Sequence, residues 1–130
     1  MAAETTALAL AALLQAVQIG IAGAAMNRDV GAQWNAGPRD DQPQLSALTG
    51  RLRRAVNNHF EGLILFTIAV VLVALTDSGG VPTAVCAWIY LIARLLYVPA
   101  YAYGWTPWRS VIWLIGLLAT LMMIVISLLS

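Results

Sequence analysis

Four apolar runs separated by three polar intervals make up most of the chain. The runs lie near residues 8–26, 55–75, 82–103 and 107–129. A helix needs about 20 mostly apolar residues to cross roughly 30 Å of hydrocarbon. The pattern therefore predicts an all-α fold, an integral membrane four-helix bundle forming one domain over residues 1–130. Between the runs lie one long polar loop, residues 27–54, and two short turns, "TDSGGV" and "YGWT".

Composition agrees with this picture. The chain is 61% hydrophobic and only 10% charged, where an ordinary soluble domain carries about 25% charged residues. No basic residue precedes the first run, so "AGAA" after it reads as part of a mature helix and not as a cleaved leader. The lone Cys86 permits no intrachain disulfide. His59 has no second histidine or cysteine nearby, which leaves a metal site without support, and a net charge of +1 gives no nucleic-acid signature.

The basic residues orient the bundle. All seven are arginine; Arg28, Arg39, Arg51, Arg53 and Arg54 lie in or beside the long loop, and Arg109 lies at the last turn on the same side. The positive-inside rule then puts the loop in the cytoplasm and both termini outside. Arg94 is the exception, inside the third span, where a charge is costly and faces a partner in the bundle interior.

Helical spacing suggests which residues gather there. Arg54, Asn58 and Glu61 follow i, i+4, i+7 and share one face of the second span; Arg94, Tyr97 and Tyr101 repeat that spacing in the third. At 1.5 Å per residue Glu61 lies about 9 Å and Arg94 roughly 13 Å inside the cytoplasmic ends of their helices, so the two are expected to pair. Two tyrosines, an asparagine and further arginines exceed what one structural ion pair needs. In "GWTPWRS", Thr106 fits an N-cap and Pro107 a first helical position, so the fourth span opens on an anion-attracting terminus to which Arg109 adds a full charge. The plainer reading of Arg109 is a snorkelling residue between interfacial Trp105 and Trp108.

Taken together, "RRAVNNHFE", "ARLLYVPAY" and "TPWRS", in register across nearly the whole chain, resemble the MAPEG superfamily, the membrane-associated proteins in eicosanoid and glutathione metabolism. The loop looks most like that of the small bacterial branch, whose members are similar to microsomal glutathione transferases. The resemblance implies a homotrimer in a bacterial inner membrane, binding glutathione as thiol substrate between subunits near the cytoplasmic face. It further implies that Arg54, Asn58, Glu61, Arg94, Tyr97 and Tyr101 hold the tripeptide, that Arg28 takes one of its carboxylates, and that Arg109 stabilises the thiolate. The expected partners are membrane lipids, glutathione or a similar thiol, and a hydrophobic small molecule.

Two functions follow from different classes. One is a glutathione-dependent transferase or peroxidase acting on lipophilic electrophiles; a guanidinium near a thiol of pKa about 8.5 favours the nucleophilic thiolate. The other is a non-catalytic protein of the same fold that binds a lipid or anionic metabolite through the same arginines. A transporter lacks the broken helices and inverted repeat expected of one.

Four smaller expectations concern packing. Ala16, Gly20 and Ala24 are spaced for a close helix contact, and Gln15 and Gln18 for hydrogen bonds to neighbouring helices. Pro99 is expected to kink the third span. The stretch "NAGPRDDQPQLSALTG" reads as a cap over the cytoplasmic mouth or as a connector, with Trp34 as an interfacial anchor.

Overall fold

A computed structural model describes residues 1–40 and 44–130. Its helices are α1 (Ala3–Val30), the short α2 (Ala32–Ala36), α3 (Ala47–Leu75), α4 (Val81–Ala102) and α5 (Trp108–Leu129), and no strand occurs among the described residues. α1, α3, α4 and α5 are each long and apolar enough to cross a membrane.

The helices run further than the apolar runs. Residues 27–30 continue α1, and 47–54 form the first two turns of α3. Hydropathy marks what lipid accepts, whereas capping sets where the backbone turns helical. Ser46 supplies the cap: its Oγ accepts from the Thr49 amide at 3.2 Å, while its own amide donates to Asp29 Oδ2 at 2.9 Å and ties α3 to the end of α1. Of the expected cap or connector, Asp41, Gln42 and Pro43 lie outside the described residues. Trp34 sits half-buried in α2.

At the opposite end, α1 starts at Ala3, earlier than hydropathy suggests, because Glu4 is buried and accepts a hydrogen bond from Thr83 Oγ1 in the first turn of α4. α4 runs through Pro99 to Ala102. α5 departs from expectation at its start. Thr106 does not cap it; Pro107 holds the cap position, and Thr106 Oγ1 turns back to the Gly104 carbonyl.

α1 and α5 occupy opposite corners of the bundle. Each packs on α3 and on α4, and the two do not meet. The core holds Ala7, Ala11, Phe66, Val73, Tyr90 and Met123, with Phe66 stacked on Tyr90 at 3.9 Å between ring centroids. α1 approaches through Ala7, Ala11, Ala22 and Ala25, because small side chains let helix backbones close up where apolar transfer gives no drive. The expected strip is a different one: Ala16, Gly20 and Ala24 face outward within the subunit. Gln15 and Gln18 do face inward, yet Gln15 Oε1 and both amide atoms of Gln18 have no hydrogen-bond partner among the described residues.

Candidate functional site

The cluster forms where the ends of α3, α4 and α5 come together. Arg54 lies in the second turn of α3, Asn58 one turn further on, Tyr97 and Tyr101 in the last turns of α4, and Arg109 in the first turn of α5. Arg54 Nε donates to Tyr101 Oη at 3.0 Å. The Arg109 guanidinium lies over the same ring, 4.8 Å from its centroid, and the Arg54 guanidinium is 5.8 Å away. Tyr97 meets Tyr101 edge-on at 5.6 Å. Two cations thus converge on one phenol, with no carboxylate within 4.0 Å of either among the described residues.

A cleft of about 200 Å³ opens beside them, lined by Asn58, Tyr97, Arg109, Ser110 and Trp113. Asn58 Oδ1 is buried without a hydrogen-bond partner among the described residues. The α5 terminus contributes less than its sequence suggests. The amides of Arg109 and Ser110 already bond to the carbonyls of Trp105 at 2.8 Å and Pro107 at 3.1 Å, so attraction for an anion rests on the guanidinium and not on free amides.

Arg94 and Glu61 lie deeper, beside a second cavity of about 170 Å³ enclosed by α3, α4 and α5. They do not form the expected ion pair, since no Glu61 oxygen comes within 4.0 Å of Arg94. Arg94 instead donates through Nε to His59 Nδ1 at 3.2 Å and lies over the Tyr97 ring at 4.5 Å. His59 in turn bonds through Nε2 to the Ala11 carbonyl at 3.0 Å. Glu61 is exposed at the rim. Arg28 stands apart, exposed at the end of α1 with its Nε 3.8 Å from Asp29.

Sequence reasoning passed over Tyr90 and Trp113 and weighed His59 only as a metal ligand. His59 follows Asn58 in a polar run, which was its only signal; Tyr90 is i−4 from Arg94 and Trp113 is i+4 from Arg109, a spacing that places each beside a residue already singled out.

A family model settles what this arrangement belongs to: the model described as the MAPEG family matches residues 3–129. The chain is a member of the MAPEG family. Neither the curated proteins nor the solved structures give a match. Membership and the four apolar helices together make it an integral membrane protein. In this MAPEG protein the matched span includes every residue of both cavities.

Proposed function

We propose that the protein is a glutathione-dependent transferase or peroxidase of the small bacterial branch of its family. It works as a homotrimer in the inner membrane, with its arginine-bearing end in the cytoplasm and both termini outside. The observation that carries this reading is the convergence of Arg54 and Arg109 on Tyr101 beside a cleft lined by Asn58, Tyr97 and Arg109. Family membership supports it, because a tripeptide with two carboxylates suits guanidinium forks.

In this mechanism Arg54, Asn58, Tyr97 and Tyr101 position the tripeptide, and Arg109 stabilises negative charge on its sulfur. Glu61, Arg94 and Arg28 complete the binding set across the contact between subunits. With a carbon electrophile, sulfur forms the new bond and the electron pair passes to the leaving group or the activated π-system, which takes up a proton. With a hydroperoxide, sulfur takes the terminal oxygen, the alkoxide leaves and is protonated, and a second thiol then yields disulfide and water. The electrophile reaches the cleft from the bilayer.

Ultraviolet thiolate absorbance tests the reading with glutathione added to the detergent-purified protein. Wild type is expected to show thiolate at a pH well below the free thiol's range, and Arg109→Ala to lose it. Absence of the signal at saturating glutathione would overturn the enzyme reading and favour a lipid or anionic metabolite as the ligand.

A further inference from the structure

The cavity enclosed by α3, α4 and α5 is separate from the Arg109 cleft. Its walls are Leu65, Trp113, Gly116, Leu117 and Thr120, with Glu61 at the rim. Tyr90 and Arg94 are among the residues that line it, and each carries a buried donor, Oη and Nη2, without a hydrogen-bond partner among the described residues. The side chains carrying them are only 2% and 3% exposed. Buried donors are ordinarily satisfied, and an unsatisfied pair beside a cavity points to an acceptor that enters it.

Two glycines keep the space open. A Cβ at Gly62 would lie 3.4 Å from Tyr90 Oη and 3.8 Å from Arg94 Nη1, so the tyrosine hydroxyl and the edge of the arginine guanidinium both approach one region. A Cβ at Gly116 would make ordinary contact with Ala93 at 3.5 Å and with the Tyr90 ring at 3.7 Å, occupying space that glycine leaves free. The volume, about 170 Å³, is of the size that holds one small aromatic ring, since an apolar cavity of roughly 150 Å³ takes benzene.

We propose that this cavity binds a small apolar molecule through a carbonyl oxygen, which accepts from Tyr90 Oη and the Arg94 guanidinium. Apolar walls select the hydrocarbon part. The Glu61 carboxylate at the rim disfavours an anion, so a neutral oxygen suits the two donors better than a carboxylate or phosphate. Trp113 lines both this cavity and the Arg109 cleft, so the bound molecule lies one indole away from that cleft. Arg94 and Glu61 also belong to the binding set of the proposed function, so the two ligands share the edge of this cavity; the proposal goes beyond the thiol reading, and its test is run without thiol.

Fluorine NMR of 4-fluoroacetophenone and of 1-ethyl-4-fluorobenzene tests it, using the detergent-purified protein without thiol and empty micelles as reference. The ketone is expected to bind saturably and about a hundredfold more tightly than the hydrocarbon, the effect of one neutral and one charge-assisted hydrogen bond. Gly62→Leu should abolish binding of both. Tyr90→Phe keeps the ring stacked on Phe66, so it tests the oxygen without emptying the core; it should reduce the ketone's advantage about fivefold, with the thermal midpoint recorded as a check on folding. Equal affinity of ketone and hydrocarbon in wild type would overturn the proposal and assign the donors to water. So would an undiminished advantage in Tyr90→Phe. Because no thiol is present, either failure leaves the thiolate experiment untouched.

Discussion

Arg94 and His59 form a buried relay: the guanidinium Nε donates to Nδ1 of the imidazole, and Nε2 continues to the carbonyl of Ala11. Since Nδ1 accepts, the proton sits on Nε2, and one neutral histidine joins α4 to α3 and α3 to α1. His59→Leu removes the acceptor and leaves a buried cation unpaired on that side. The expected loss is about 3 kcal/mol or more of stability, read as a lowered thermal midpoint in detergent, with His59→Gln intermediate. An unchanged midpoint in His59→Leu would show that the relay holds nothing together.

Tyr101 gives a cleaner probe of the cleft than the arginines. Tyr101→Phe deletes only the oxygen that accepts from Arg54 and keeps the ring under Arg109. One hydrogen bond of about 1 kcal/mol corresponds to roughly fivefold weaker glutathione binding, with folding unaffected. Titration calorimetry checks this, and unaltered affinity would place the tripeptide elsewhere.

At the far end, Glu4 and Thr83 bond to each other, and Thr83 also accepts from the Gly80 amide at 2.9 Å. Thr83→Val strands a buried carboxylate and the amide together, an expected cost of about 2 kcal/mol. Glu4→Gln keeps an acceptor for the hydroxyl and should cost less. Thermal unfolding of the two variants side by side measures the order.

Gly20 separates a subunit's own stability from self-association. A Cβ there meets nothing within 4 Å in its own chain, and Ala16 and Ala24 flank it on the same outward strip. Under the proposed trimer, Gly20→Leu should shift the light-scattering mass from trimer toward monomer while helical circular dichroism stays the same. A trimer that survives the substitution would move the subunit contact to another face.

How much of this was legible in sequence depended on what kind of fact was sought. The four helices were legible because apolar runs of the required length leave little choice; helical spacing put Arg54 with Asn58 on one face and Tyr97 with Tyr101 on another, while Arg109 joined them only through the family resemblance. The Glu61–Arg94 pair was expected from depth alone. Depth gives position along the axis but not rotation about it, and the two border one cavity without touching. His59 was weighed only as a metal ligand, since its use as an acceptor exists only once α1 and α4 are packed against α3. Helix ends at residues 27–30 and 47–54 were hidden for a different reason: caps and side-chain hydrogen bonds set them, and hydropathy is blind to both.

The diagonal placement of α1 and α5 has a stoichiometric consequence. Arg28 and Arg109 ride on helices that never meet within one chain, with α3 and α4 between them. Under the proposed trimer, a ligand gripped by both arginines would draw them from different copies, and such sites would number as many as the contacts between copies. Dilution into excess micelles would then extinguish binding with a steep dependence on protein concentration, while every separated chain kept its helices.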